Sequence, residues 1–193
     1  MKKVLLIIGT VVVLIGVTVY ADKATRVKPK NSVGGTTIRA DANVGIPAPD
    51  VTFKNLDDQG VPLSEYRGKV VLVNFWATWC EPCRDEFPMV IELVRQYQPK
   101  GLAVFGMDLD DDAEETLAMR FVARNHPIFP NYRKKPGKED EFINAVNPKW
   151  TGVLPATFFY SPDGRLVGQI VGEQKREVFV MAIEQLLAAS HPQ

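Results

Sequence analysis

Residues 70–88 read VVLVNFWATWCEPCRDEFP and predict a buried strand followed at once by a helix. The strand, Val70 to Trp76, is nearly continuous in strand-forming residues, which is typical of a central strand covered on both faces. The helix is expected from about Glu81 to Tyr97, because its apolar residues recur at intervals of three and four and share one face. Pro82 fits the first helical turn, whereas Pro88 is expected to kink the helix.

Strands and helices alternate in the rest of the chain. Leu102 to Met107 is a second buried strand. Asp112 and Glu115 form a capping-box pattern that predicts the start of a helix reaching about Arg124. The last helix has an apolar face made by four residues at helical spacing: Phe179, Ala182, Ile183 and Leu186.

Two hairpins complete the predicted sheet. Ala156–Tyr160 and Leu166–Val171 flank a Ser-Pro-Asp-Gly turn, so these strands should pair. Residues 51 to 63 are a further hairpin candidate at the amino-terminal side. The alternating order predicts a mixed α/β sheet with helices on both faces.

The Pro-rich stretch from Asn125 to Leu154 is long for a compact domain. It is broken by a predicted short helix from Glu139 to Val146. Structureless connections of this length are uncommon unless they have a function. The stretch is therefore either a binding rim near the active site or an ordinary surface insertion.

Charge and composition exclude one class of partner. The chain has 193 residues, with 46% hydrophobic and 24% charged residues, enough for one globular domain and an extra segment. Lys plus Arg and Asp plus Glu are equal at 23 each. Nucleic-acid binding depends on a basic excess that neutralises phosphates, so no nucleic-acid partner is predicted.

The amino-terminal residues 1–21 are typical of a signal peptide or signal-anchor. Lys2 and Lys3 precede an uncharged apolar run from Val4 to Tyr20. As a helix this run would be about 26 Å long, close to the roughly 30 Å hydrocarbon core. The two lysines predict a cytoplasmic amino terminus, with the remainder outside, either anchored in the membrane or released by cleavage.

Two domain boundaries follow from composition. Residues 22–43 are polar and almost without large apolar side chains, so they are predicted to be a flexible linker. The folded domain is expected over residues 44–190.

The only two cysteines, Cys80 and Cys83, allow three uses. A zinc site would need further ligands at a matching spacing, but there is no second Cys pair, and of the two histidines, His126 and His191, the latter lies at the chain terminus. A purely structural disulfide would close too small a loop to constrain the unfolded chain. Dithiol–disulfide exchange remains, and it needs no other cofactor than the Cys80–Cys83 disulfide itself.

Cys80 is predicted at the junction of the strand and the helix that begins at Glu81. The positive end of a helix stabilises a thiolate, so Cys80 is the expected attacking sulfur. Cys83, one turn further on, would resolve the mixed disulfide. The negative charge of Glu81 opposes part of this effect, which predicts a mild reductant.

The run Trp79-Cys80-Glu81-Pro82-Cys83, the preceding strand and Pro88 resemble the thioredoxin-like family, in particular its TlpA/ResA branch of membrane-tethered thiol–disulfide reductases. Further matches are residues 44–49 upstream and 154–159 downstream. The resemblance covers residues 44 to 189. It implies a thioredoxin-like fold with an amino-terminal hairpin extension and an insertion before the cis-proline strand.

The resemblance also implies roles for individual residues. Pro155 matches the family's cis-proline, beside which an extended substrate hydrogen-bonds, and Glu86 matches its acidic residue for proton handling. The predicted substrate surface consists of Trp79, Glu81, Pro82, Leu154 and Pro155. Trp76 either shapes the surface beside Cys80 or belongs to the core. Cytoplasmic-type thioredoxins carry a buried Asp where this chain has Asn74, so Glu86 is the better candidate for proton transfer.

The family's usual partners are expected here as well. They are a protein disulfide such as that of apocytochrome c, and a membrane electron donor of the DsbD or CcdA type. The predicted location is the outer face of the bacterial cytoplasmic membrane, through the amino-terminal segment.

Two other functions compete with this interpretation. A peroxiredoxin-like thiol peroxidase has Thr or Ser and Pro around its reactive cysteine; Thr78 is present, but Asn74 to Ala77 contains no proline. A non-catalytic interaction module or metallochaperone would use an idle disulfide or a metal, with His126 as a weak ligand candidate.

Overall fold

The computed structural model describes residues 37–38, 46–47, 52–54, 60–134 and 139–190. The predicted signal segment 1–21 and most of the predicted linker 22–43 lie outside these ranges. In the ranges described, no helix is both long enough and apolar enough to span a bilayer.

The described strands form one mixed sheet in the order β1-β9-β8-β5-β6-β7-β3-β4, and β2 also pairs with β9. The strands are β1 Thr37–Ile38, β2 Ile46–Pro47, β3 Thr52–Lys54, β4 Gly60–Pro62, β5 Val70–Trp76, β6 Leu102–Asp108, β7 Asn131–Arg133, β8 Ala156–Tyr160 and β9 Arg165–Val171. Strands β5, β6 and β7 are parallel, and the other pairings are antiparallel.

The described helices connect these strands. They are α1 Glu81–Tyr97, α2 Glu115–Asn125, α3 Glu139–Val146 and α4 Arg176–Ser190, with short 3-10 turns at Leu63–Tyr66, Gln98–Lys100 and Asp112–Glu114. α1 continues through Pro88. The predicted bounds of β5 and α1 are confirmed, and so are α3 and the hairpin of β8 and β9.

The central strand β5 divides the core into two layers because successive side chains point to opposite faces. Leu72 and Trp76 pack with the apolar faces of α1 and α4. Val73 and Phe75 pack on the other face with residues of α3 and with Trp150. The predicted arrangement of helices on both faces is therefore confirmed. The four apolar residues expected on one face of α4 are buried, and Leu187 is buried in addition.

Two expectations change in the long segment and its neighbour. The Asn125–Leu154 stretch contains an unexpected strand, β7, which pairs with β6. The predicted capping box at Asp112 and Glu115 is wrong: α2 begins at Glu115 without a side-chain cap. Both carboxylates instead face the Arg133 guanidinium of β7, at 3.7 and 3.0 Å. These two carboxylates therefore form ion pairs with a residue that is distant in the sequence instead of capping the helix.

The amino-terminal hairpin candidate at 51–63 is present as β3 and β4. Within the predicted linker, Thr37 and Ile38 form β1 and pair with Gln169 and Gly168 of β9. This part of residues 22–43 therefore belongs to the sheet.

Candidate active site

Cys80 and Cys83 form a disulfide at the amino-terminal end of α1. Their Cα atoms are 5.3 Å apart. Cys80 is the N-cap residue of the helix, and its sulfur accepts a hydrogen bond from the Cys83 backbone N–H at 3.3 Å. A backbone donor at the positive end of a helix favours negative charge on that sulfur. The geometry therefore distinguishes the two cysteines chemically, although both are buried.

A buried carboxylate holds the loop that leads into Cys80. Asp110 accepts the Thr78 backbone N–H with both oxygens at 3.0 Å and the Thr78 hydroxyl at 3.0 Å. The Arg84 guanidinium donates to the Thr78 carbonyl from the other side. Asp110 follows the carboxyl end of β6, beside β5 in the parallel pair. Asp110 is not among the residues predicted for the site, although its place just after a parallel strand could have indicated it.

Asp108 is a second buried carboxylate beside Asp110. Its Oδ1 accepts the Asp110 backbone N–H at 2.9 Å, and its Oδ2 lies 3.5 Å from Arg133 Nε. Burial raises the pKa of Asp108 above its ordinary range. The hydrogen bond from the Asp110 backbone N–H and the charge of Arg133 oppose this rise, and the Asp110 carboxylate adds to it. Among the described residues, no group of three or more His, Cys, Asp or Glu side chains is arranged to hold a metal.

Glu86 lies buried one helical turn beyond Cys83. Its Oε1 accepts the Asn74 side-chain amide at 3.1 Å, and the same amide also donates to Thr157 Oγ1 at 3.2 Å. Burial raises the pKa of Glu86 to about 7; the Asn74 hydrogen bond lowers it, and the charge of Glu173 raises it. A carboxyl group with this pKa can take up or release a proton near neutral pH.

The two tryptophans of the motif have different environments. Trp79 is 62% exposed directly before Cys80, whereas Trp76 is buried in the core. The Trp76 indole N–H donates to Asn131 Oδ1 at 3.2 Å. The surface beside Cys80 is therefore formed by Trp79, and the alternative that Trp76 is a core residue holds. Glu81 is exposed and Pro82 half-buried in the first turn of α1.

The Leu154–Pro155 peptide bond is cis, as the resemblance implied. Pro155 is buried and its carbonyl accepts the Gly172 N–H at 2.8 Å. Leu154 packs against both core clusters, the one that contains the two cysteines and the one on the other face of the sheet.

The comparisons with known proteins agree with this site. Residues 44–169 match the model of the AhpC/TSA family. Thiol-disulfide oxidoreductase ResA of Bacillus thuringiensis (strain Al Hakam) is 32% identical over 69% of this chain and 73% of its own length. The ResA of Geobacillus thermodenitrificans (strain NG80-2) is 30% identical over 96% of this chain and 98% of its own length.

Solved structures show the same fold. A putative thiol:disulfide interchange protein DsbE from Chlorobium tepidum has a TM-score of 0.62 and 29% identity, covering 76% of this chain and 97% of that one. A DsbF homologue from Corynebacterium diphtheriae has a TM-score of 0.66 at 22% identity, over 84% and 98% of the two chains. The predicted thioredoxin-like fold is confirmed by these matches.

Proposed function

This chain belongs to the AhpC/TSA family and is a thiol–disulfide oxidoreductase, and on that premise we propose that it reduces disulfides of exported proteins through Cys80 and Cys83. The observation that carries the proposal is the position of Cys80. Its sulfur caps the first turn of α1 and accepts the Cys83 N–H at 3.3 Å. The same donor would stabilise the thiolate once the disulfide is reduced.

In the first step, the Cys80 thiolate attacks one sulfur of the client disulfide. A sulfur–sulfur bond forms between Cys80 and the client, and the second client sulfur leaves as a thiolate that takes up a proton. An ordinary thiol with a pKa of about 8.5 is only a few per cent ionised at pH 7, so the helix end would increase the reactive fraction. Exposed Trp79, directly before Cys80, would be the first surface that a client meets.

In the second step, Cys83 attacks Cys80 and releases the reduced client. This step needs the Cys83 proton to leave. Glu86 lies one helical turn away, and its pKa of about 7 suits it to accept that proton. Two electrons pass from the enzyme dithiol to the client, and the enzyme ends with the Cys80–Cys83 disulfide. No other cofactor is proposed.

The client would bind in extended form beside the disulfide. We assign the contact surface to Trp79, Glu81, Pro82, Leu154 and Pro155. The exposure of Trp79 and Glu81 and the cis peptide bond between Leu154 and Pro155 support this assignment.

The location and partners belong to the same proposal. Lys2, Lys3 and the apolar run up to Tyr20 favour a site outside the cytoplasm, with the enzyme tethered or released. A reductant in that compartment needs electrons from the membrane, from a donor of the DsbD or CcdA type. Apocytochrome c thiols, which must be reduced before haem attachment, are the proposed client class.

Trapping tests this function directly. In cells that express Cys83→Ala, the mixed disulfide on Cys80 cannot be resolved, so clients should stay linked to it and be identified by mass spectrometry. The matched control is the double variant Cys80→Ser/Cys83→Ala, which should trap nothing. The proposal fails if Cys83→Ala traps no protein and the wild type does not reduce a model disulfide. Consumption of hydrogen peroxide that depends on Cys80 would support the peroxidase alternative instead.

A further inference from the structure

An open groove of about 430 Å³ lies beside the cysteine motif. One wall is the Thr78–Trp79 segment, which leads directly into Cys80. The opposite wall is α2, which contributes Leu117 and Phe121. Trp79 and Leu117 are 62% and 52% exposed, so the groove offers apolar surface to a partner. We call it the Trp79 groove.

The motif side of the Trp79 groove is held in place before any partner arrives. The Thr78 backbone and hydroxyl are bound by buried Asp110, and the Thr78 carbonyl by Arg84. A wall fixed by these hydrogen bonds loses little conformational freedom on binding, which favours affinity.

Arg120 and Arg124 of α2 give the groove its charge. Both are exposed and line it together with one carboxylate, Glu114. In the described part of the chain, neither arginine forms an ion pair. The nearby carboxylates of Asp111, Asp112 and Glu115 differ in this respect: Asp111 pairs with Lys134, and the other two with Arg133.

We infer that the Trp79 groove selects clients that carry a carboxylate next to an apolar side chain beside the disulfide that Cys80 attacks. The inference rests on the proposed reductase function and adds a substrate class to it. The apolar side chain would pack against Trp79 and Leu117, and the carboxylate would meet the guanidinium groups of Arg120 and Arg124.

The charge of the groove also argues against occupation by the amino-terminal segment of the same chain. The segment 22–43 of this chain contains Lys23, Arg26, Lys28, Lys30 and Arg39, and Asp22 and Asp41 as its acidic residues. A net basic segment would be repelled by the two arginines of α2, so an acidic client fits better than the chain's own linker.

The test uses three synthetic peptides, each closed by one disulfide and identical except beside the cysteines. They carry Asp-Leu, Lys-Leu or Ser-Leu at that place. The rate constant for reduction by the pre-reduced enzyme is measured for each at pH 7 and at two salt concentrations, and the Ser-Leu rate is the reference. Wild type should reduce the Asp-Leu peptide about fivefold faster than the Lys-Leu peptide, the factor that an exposed ion pair of about 1 kcal/mol gives. The preference should shrink in high salt.

Charge variants of α2 decide the assignment. Arg120→Glu/Arg124→Glu should reverse the Asp-to-Lys preference, and Arg120→Gln/Arg124→Gln should abolish it. The matched control is Arg95→Glu, an exposed arginine in the last turn of α1, which should keep the wild-type ratio. An unchanged ratio in both double variants overturns the inference, as does a wild type with no preference.

The same variants distinguish a client-binding groove from a lipid-binding surface. If the double charge reversal abolishes binding to vesicles of anionic phospholipid but leaves the peptide ratio unchanged, the groove is a lipid contact and the inference is wrong. If wild type reduces none of the three peptides, the proposed reductase function fails instead.

Discussion

The Asn74 side-chain amide donates to Glu86 Oε1 at 3.1 Å, while Glu86 Oε2 is buried without a hydrogen-bond partner among the described residues. Asn74 lies on β5 and Glu86 on α1, so the contact connects the central strand with the helix that carries both cysteines. A neutral amide can orient the carboxyl group but cannot compensate a full negative charge. Glu86 is therefore easier to protonate than an exposed glutamate.

Glu86 should lower the stability of the protein above neutral pH. Its pKa is raised from 4.5 to about 7, so between these values the folded protein holds a proton that the unfolded chain has released. Stability therefore falls as the pH rises through this window and stays lower above it. Glu86→Gln should raise the free energy of unfolding by up to about 3 kcal/mol at pH 8 and change it little at pH 4. Urea unfolding at both pH values measures the difference.

The control for this prediction is Glu92→Gln, an exposed glutamate on the same helix. It should show no such pH-dependent gain. An equal gain in the two variants would show that helix charge, rather than burial of Glu86, is responsible.

Glu86 should also control the release of the client. If its carboxylate accepts the Cys83 proton, Glu86→Gln should slow resolution of the mixed disulfide by about 100-fold, the lower limit for general base catalysis. The inflection near pH 7 in the pH profile of this step should disappear. Quenched-flow measurement of the mixed disulfide follows resolution separately from the first attack. A profile that keeps its inflection in the variant would exclude Glu86 as the base.

Removal of Asp110 should loosen the approach to Cys80. Asp110→Ala leaves the Thr78 N–H and hydroxyl without their acceptor. We expect a loss of about 1–3 kcal/mol in unfolding free energy and faster hydrogen exchange at the Thr78 amide. Asp111→Ala is the matched control, since Asp111 is exposed and pairs with Lys134 at the surface. If both variants exchange the Thr78 amide at the wild-type rate, Asp110 does not hold the loop.

A side chain at position 106 should disturb the contact between β6 and β7. A β-carbon on Gly106 would lie 2.9 Å from Asn131 Cγ and 3.0 Å from Trp76 Nε1. Gly106→Ala should therefore cost about 1–3 kcal/mol by overpacking. In the Asn131→Ala background the same substitution should cost less, because its closest neighbour is gone. Thermal unfolding of the four proteins gives this coupling; strictly additive losses would contradict the explanation.

The sequence predicts those parts of the fold that depend on local pattern. The observed bounds of β5 and α1 agree with prediction because apolar residues follow strand and helix periods there. β7 is not predictable in this way, since three residues are too few for a period and its pairing with β6 comes from elsewhere in the chain. The predicted capping box is wrong for a similar reason. Asp112 and Glu115 pair with Arg133, which lies on β7 and is distant from them in the sequence.

The candidate site, like the fold, is predictable where its residues are close in sequence. Cys80, Cys83 and Glu86 are close in sequence on one helix, so their proximity could be expected. The contacts of Asp110 with Thr78 and of Arg133 with Asp108 join different strands and loops. Such contacts depend on which strands are neighbours in the sheet, and the local pattern of residue types along the chain does not specify that.

The short strands β1 and β2 have a consequence for self-association. Both pair with the outer edge of β9, through Thr37 and Ile38 at one end and Ile46 and Pro47 at the other. Without them, a long edge strand would present its backbone donors and acceptors to another copy, a common route to aggregation. A chain that began at residue 48 would lack β1 and β2 and would leave this edge of β9 unpaired, while it kept the redox motif. Pairing with β1 and β2 thus covers part of the edge of β9 that would otherwise be available to a second copy.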